Sequence, residues 1–160
     1  MSYINYLDLP QVPEELLESV ETILAKPRIP TITPMDYFQE RQVNDDLIKW
    51  CNENIKGIPF DFRAQYQIIG YGLPIHRDKG LPGYKPRTLA INYLLDCGGN
   101  NVATRIYDDD CIILESEIIR PKSWHSINVS KLHCVTGLTP GIFRVALTLL
   151  PKQDKANTIK

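Results

Sequence analysis

The sequence lacks the features that mark several large classes of protein. Its formal net charge at pH 7 is only -1, which argues against a protein held to nucleic acid by electrostatics. No hydrophobic run approaches the length that crosses a membrane. The N-terminus has neither the basic start nor the continuous apolar stretch of a signal peptide. We therefore expect no membrane partner and no nucleic-acid partner.

Cysteine is sparse, and its spacing excludes the common cysteine motifs. The four cysteines, Cys51, Cys97, Cys111 and Cys134, are widely scattered and form no Cys-x-x-Cys pair. This pattern is typical of free thiols in an intracellular protein. The expected location is the cytoplasm.

The rest of the composition is that of an ordinary globular chain. It has 160 residues, of which 43% are hydrophobic and 23% charged, which predicts a single domain with a sizeable core. Apolar residues at helical spacing predict helices over 12–24 and 44–55, the second capped by Asn44. Short strands are predicted near 61–70, 73–78, 87–95, 102–107, 110–119, 123–129, 132–136 and 142–150.

This order of elements predicts a mainly β fold with N-terminal helices. Residues 1–58 are expected to form a helical support, 59–150 a double-sheeted jelly-roll barrel, and 151–160 a frayed tail. A purely structural jelly roll would fill its interior with apolar side chains. That alternative fits poorly, because His76, Asp78, His133 and Arg144 would then crowd the core unpaired.

These four residues form the most informative pattern in the chain. His76 and Asp78 are two apart at the end of an apolar strand, so their side chains point to the same side. His133, from a distant strand, adds a second nitrogen ligand. Two histidines and one carboxylate make the facial triad of non-haem Fe(II) oxygenases, which leaves positions open for substrate and O2.

Arg144 interrupts the apolar strand 143–149. An arginine in such a strand needs a buried anion, since unpaired burial of a charge is costly. A carboxylate anchored beside the metal would supply that anion. The alternative is an arginine at the rim of a strand with its head in solvent.

Three other segments are weaker candidates. His125 could be mistaken for the second metal histidine, but we interpret it as a partly buried structural residue. The aspartates at 108–110 lack an alternating ligand loop and predict a solvated turn. The loop 79–86, rich in glycine and proline, either rims the pocket and contacts substrate through Tyr84 or Lys85, or is a connector.

From about Phe62 to Leu150 the chain resembles the Fe(II)/2-oxoglutarate-dependent dioxygenase superfamily, and most closely its prolyl-hydroxylase-like branch. The matching segments are Ala64-Gln65-Tyr66, His76-Arg77-Asp78, Arg87 to Leu95, the Gly98-Gly99 turn, Ile127-Asn128, His133-Cys134-Val135 and Phe143 to Ala146.

The resemblance implies a double-stranded β-helix and a set of site residues. Iron would be bound by His76, Asp78 and His133, with O2 as the oxidant. 2-Oxoglutarate would chelate the iron and pair its far carboxylate with Arg144. Tyr93 matches a tyrosine that supports this carboxylate, Tyr66 one near the metal end of the cosubstrate, and Thr104 a pocket residue. Ala146 replaces the serine or threonine of some relatives, which would make Tyr93 matter more.

The resemblance also implies an oxidoreductase that couples decarboxylation of 2-oxoglutarate to oxidation of a substrate. A small metabolite or a protein side chain is the expected substrate, and a hydroxylase the expected activity. Two alternatives stay open. One is a barrel that binds a metal or ligand without turnover. The other is a cupin-like metal isomerase or sugar-binding barrel, although such sites usually gather more than this chain's three histidines and have no need of Arg144.

Overall fold

The computed structural model describes residues 2–30, 37–78 and 88–152. The predicted loop over 79–86 and the tail beyond residue 152 lie outside the described residues. The strands are β1 (Ile4–Tyr6), β2 (Phe38–Gln42), β3 (Phe62–Gly70), β4 (Leu73–His76), β5 (Leu89–Asp96), β6 (Ala103–Tyr107), β7 (Ile113–Glu117), β8 (Trp124–Asn128), β9 (Leu132–Thr136) and β10 (Phe143–Pro151). The helices are a 3₁₀ turn (Glu14–Leu16), α1 (Val20–Ala25) and α2 (Asp45–Asn54).

The strands form two antiparallel sheets. A six-stranded sheet has the order β1-β8-β5-β10-β3-β2, and a four-stranded sheet has the order β4-β9-β6-β7. The eight strands predicted after residue 60 are confirmed to within a few residues. The mainly β class is confirmed as well, but the two sheets do not close into one hydrogen-bonded barrel.

Two strands, β1 and β2, were not predicted from the sequence. β1 has only three residues, and β2 reads Phe-Gln-Glu-Arg-Gln, which has no apolar alternation. β2 is nevertheless held along its whole length by β3, from Phe38 opposite Ile69 to Gln42 opposite Gln65. Tertiary pairing therefore overrides a weak local preference.

The first predicted helix is shorter in the structure than in the prediction, whereas the second, α2, agrees with its predicted range to within one residue at each end. α2 begins after Asn44, whose side chain accepts a hydrogen bond from the Leu47 amide at 2.8 Å. The predicted helix over 12–24 breaks at Leu17, which is extended, and restarts only after the new N-cap Ser19. No helix in the described ranges is long and apolar enough to cross a membrane.

The six-stranded sheet has a hydrophobic cluster on each face. On the helix-side face, Leu47 and Cys51 of α2 pack with Leu147 of β10. On the opposite face, which we call the inner face, Ala146 of β10 packs with Ile106 of the four-stranded sheet. Alternate residues of one strand therefore point either to the helices or into the space between the sheets.

Candidate active site

The three residues of the sequence motif converge between the two sheets. His76 at the end of β4 pairs directly with His133 of β9. Asp78 follows β4, and its backbone N–H donates to the carbonyl of Val129. The Nε2 atoms of His76 and His133 lie 3.4 and 3.3 Å from the same Asp78 oxygen. Among the described residues, this is the group of His, Cys, Asp or Glu side chains that could hold a metal ion.

Both imidazoles are oriented by the backbone so that Nε2 faces this centre. His76 Nδ1 lies 2.7 Å from the carbonyl oxygen of Pro74, and His133 Nδ1 lies 2.8 Å from that of Lys131. A carbonyl only accepts, so in the neutral ring each Nδ1 carries the proton and each Nε2 presents a lone pair. Metal-bound histidines are commonly held by this kind of second hydrogen bond.

The donor set fits a metal that prefers nitrogen and oxygen ligands. Two ligands at right angles, each about 2.1 Å from a metal, lie ~3 Å apart, close to the spacings from Asp78 to the two imidazoles. Two imidazoles and one carboxylate leave open coordination positions and suit Fe(II). His76, Asp78 and His133 are therefore the residues that would hold the ion.

Arg144 lies on the inner face, because it precedes Ala146 by two residues on β10. Only 5% of its surface is exposed, so the rim interpretation of this arginine is not supported. No carboxylate of the described residues forms an ion pair with it, and burial lowers its pKa to about 10. It is still charged at neutral pH. A cation is thus buried beside the space between the sheets, and the described part of the chain supplies no counter-charge for it.

Three buried polar atoms that have no hydrogen-bond partner within the described ranges lie on the faces that line the same space. They are Thr104 Oγ1, Gln65 Oε1 and His125 Nε2. Thr104 is two residues before Ile106, and Gln65 pairs with Thr148, which is two residues beyond Ala146. Buried polar atoms normally have partners, so these positions indicate a polar ligand between the sheets. The structure brings the predicted pocket residue Thr104 to this region.

The structure does not bring the two predicted tyrosines to this region. Both pair with Leu147, one on each side of β10, and all three residues belong to the helix-side cluster. Tyr66 sits beside Glu18 and Lys26, and burial followed by the Glu18 charge raises its pKa. Tyr93 packs on Trp124 with ring centroids 5.0 Å apart. A six-stranded sheet separates both hydroxyls from Arg144, so neither is assigned to the cosubstrate.

His125 takes a position that sequence reasoning did not recognise. It is 1% exposed and lies on the inner face, two residues before Ile127. Burial and the nearby charge of Arg144 lower its pKa to about 4. Its strand partner Asn92 accepts a hydrogen bond from Thr148 at 2.8 Å. The signal available in the sequence was the alternation of side chains along β5, β8 and β10, because the polar residues 92, 125 and 148 all lie on the same face of the sheet as Arg144.

The aspartates at 108–110 form the predicted turn. Asp108 accepts hydrogen bonds from the backbone N–H groups of Asp110 and Ile112, both at 2.9 Å. Asp109 forms an ion pair with Arg77, the residue between two of the triad members. This ion pair links the segment after β4 to the turn at 108–110, and it adds no ligand to the His76, Asp78 and His133 group.

Fold and site together define a mainly β protein with a His-Asp-His arrangement suited to a metal and a buried cation on the facing sheet. No protein-family model matches the chain, and no curated protein matches it. Among solved structures, the fold is similar to the crystal structure of an oxidoreductase of the 2OG-Fe(II) oxygenase family from Burkholderia pseudomallei. The TM-score is 0.53 at 10% sequence identity, over 81% of this chain and 73% of that chain. At this sequence identity the similarity shows the fold alone and does not assign a function.

Proposed function

We propose that this protein is a non-haem Fe(II)- and 2-oxoglutarate-dependent dioxygenase built on a double-stranded β-helix. The observation that carries the proposal is the combination of the triad with Arg144. A three-ligand metal site and a buried cation, for which the described residues supply no carboxylate, face the same space between two sheets. A cupin-like site would explain the triad but would leave the charge of Arg144 without a counter-ion.

The cosubstrate chemistry matches these two features. When bound, Fe(II) would supply the activation of O2 that couples 2-oxoglutarate decarboxylation to substrate oxidation. His76, Asp78 and His133 would hold the ion and would leave coordination positions open for other ligands. Arg144 offers a planar, two-pronged donor to the far carboxylate of 2-oxoglutarate. Apolar residues between the sheets, such as Ile106 and Ala146, would limit the access of water to this pairing and so strengthen it.

The class of substrate is part of the proposal and rests on the sequence. The proposed activity is hydroxylation of a small metabolite or of a protein side chain by a cytoplasmic enzyme of the prolyl-hydroxylase-like branch. The near-neutral charge of the chain disfavours nucleic acid as the substrate.

An anaerobic titration tests the proposal. Fe(II) should bind at one site per chain, and addition of 2-oxoglutarate should produce the weak visible charge-transfer band typical of the family. Admission of O2 should then yield succinate slowly without the true substrate. The double variant His76→Ala/His133→Ala should lose the metal and the band.

The alternatives give different results. Metal binding with no band and no succinate would favour a non-catalytic or cupin-like barrel. Iron binding in the double variant equal to that of the parent protein would show that the ligands are wrongly assigned. A band that survives in Arg144→Ala, at lower 2-oxoglutarate affinity, would separate the metal ligands from the carboxylate anchor.

A further inference from the structure

His125 is a buried polar side chain that neither the metal centre nor the hydrophobic core explains. Its Nε2 has no hydrogen-bond partner among the residues that the structure describes, although the residue is 1% exposed. Leaving a buried donor or acceptor unpaired destabilises the folded state, because the group has lost its hydration without gaining a hydrogen bond. A leucine or phenylalanine would fill such a core position without this penalty. The position therefore indicates that something bound between the sheets completes the hydrogen bonding of His125.

The other ring nitrogen indicates what kind of group this is. His125 Nδ1 lies 3.5 Å from the carbonyl oxygen of Ser123, which only accepts. A proton on Nδ1 satisfies this contact and leaves Nε2 as a bare lone pair in the neutral ring. A carboxylate opposite Nε2 would require a second proton there. The ring form that satisfies both sides at once is the imidazolium.

The charges around His125 favour that form only when an anion is present. On β10, Arg144 is the charge that acts on the ring, and it disfavours a second positive charge. On β1, the paired residue Tyr6 has its hydroxyl 3.5 Å from Glu117 of β7. The neighbouring Glu115 is engaged by the backbone N–H groups of Tyr3 and Ile4. β5 contributes the uncharged Asn92.

We propose that His125 is a second anion-binding residue beside Arg144, and that its Nε2 takes up one proton from solvent when 2-oxoglutarate binds. This inference rests on the proposed function, because the far carboxylate of 2-oxoglutarate is the anion in question. The carboxylate then lies between two cations, and each of its oxygens has a charged donor. His125 acts as a binding and specificity residue that distinguishes a dicarboxylic 2-oxo acid from a monocarboxylic one.

The chain offers a direct test, because it contains only three histidines and two of them are the proposed metal ligands. The probe is histidine-labelled, Zn(II)-loaded protein, followed by NMR of the imidazole rings between pH 6 and pH 8. Without ligand, the His125 ring should be neutral throughout this range. With saturating 2-oxoglutarate it should be protonated at pH 6 and titrate at a higher pH. With 2-oxopentanoate, which has the same chain without the far carboxylate, it should remain neutral.

Calorimetry gives a second, independent measurement. Titration of 2-oxoglutarate at one pH in two buffers of different ionisation enthalpy should show uptake of close to one proton by the parent protein and none by His125→Gln. Affinity should tighten about tenfold per pH unit on acidification, within the window between the free and bound pKa values. Glutamine retains a donor but cannot take up the proton, so its affinity should be nearly independent of pH.

The outcomes separate this inference from the function on which it rests. If 2-oxoglutarate binds the metal-loaded protein while the His125 ring stays neutral, this inference is overturned and the dioxygenase proposal stands. If 2-oxoglutarate does not bind at all, both are overturned. The NMR arm uses the parent chain, so it decides the matter even if His125→Gln fails to fold.

Discussion

At Arg144 the protein buries a charge for which the described part of the chain provides no carboxylate. If this guanidinium pairs with 2-oxoglutarate, Arg144→Ala should weaken binding by roughly 2–4 kcal/mol, or about thirtyfold to a thousandfold. Iron affinity should change little, because arginine is not a ligand. Arg144→Lys should restore only part of the loss, since a point charge cannot reproduce the planar fork. Calorimetry with 2-oxoglutarate on metal-loaded protein measures each value.

Thermal unfolding of the same variants is the control for this prediction. Arg144 is buried in a strand, so its removal could act on folding instead of binding. A folded Arg144→Ala protein that binds 2-oxoglutarate as tightly as the parent would rule out the anchoring role.

Tyr93 tests how far the family resemblance extends to single residues. The resemblance assigns its hydroxyl to the cosubstrate, but the structure places it on the helix-side face, packed on Trp124. We therefore expect Tyr93→Phe to change 2-oxoglutarate affinity by less than about 0.5 kcal/mol, as for substitutions remote from a site. The same calorimetric titration measures it, with Arg144→Ala as the positive control. A tenfold loss of 2-oxoglutarate affinity would show instead that Tyr93 contributes to cosubstrate binding.

At the scale of elements, a carboxylate on β7 connects the two sheets where no strand pairing does. Glu115 accepts hydrogen bonds from the backbone N–H groups of Tyr3 at 2.8 Å and Ile4 at 3.0 Å, and from the hydroxyl of Ser2. It therefore caps the β1 edge of the larger sheet. Glu115→Ala should lower the free energy of unfolding by about 1–3 kcal/mol, because two backbone donors lose their charged acceptor.

Denaturant unfolding measures this loss, and the neighbouring exposed Ser116 provides the control. Ser116→Ala alters the same strand without touching β1, so its effect should lie within about 0.5 kcal/mol of zero. Equal effects of the two substitutions would mean that the stability of β7, and not the bridge to β1, is being measured.

The elements show why sequence reasoning succeeded in some places and failed in others. The strands after residue 60 are bounded by glycine and proline turns and rich in β-branched residues, so local signals suffice. β2 has no such signal, because its conformation depends on pairing with β3. β5 is buried on both faces, from Ala90 to Leu94, so its sequence does not reveal which face Tyr93 occupies. Only the packing of α2 on one side of the sheet determines that.

At the scale of the whole molecule, the site depends on the relation between the sheets. The triad comes from the four-stranded sheet and the segment after β4, whereas Arg144 and His125 belong to the six-stranded sheet. The ligands could be predicted from spacing, because two of them lie two residues apart at the end of a strand. The environment of His125 could not. Its proximity to Arg144 depends on the order of β8, β5 and β10 within the larger sheet, and its burial depends on the packing of one sheet on the other.

That packing also makes the stability of the ligand-free protein depend on pH. The folded pKa of His125 is lowered from 6.5 to about 4, so between these values the unfolded chain binds a proton that the folded chain does not. Stability should therefore rise with pH across this window and be lost as the pH falls from 6.5 towards 4. The difference corresponds to about 3 kcal/mol.

Urea unfolding of metal-free protein at several pH values between 4.5 and 7.5 measures this effect, with His125→Gln as the matched variant. All other ionisable groups are the same in both proteins, so the change with pH in the stability difference between the two proteins isolates His125. The parent should lose about 2–3 kcal/mol relative to the variant on going from pH 7.5 to pH 4.5. A stability difference that does not vary with pH would mean that the ring is hydrated or already paired in the folded protein. His125 would then have no unsatisfied nitrogen to offer to an anion.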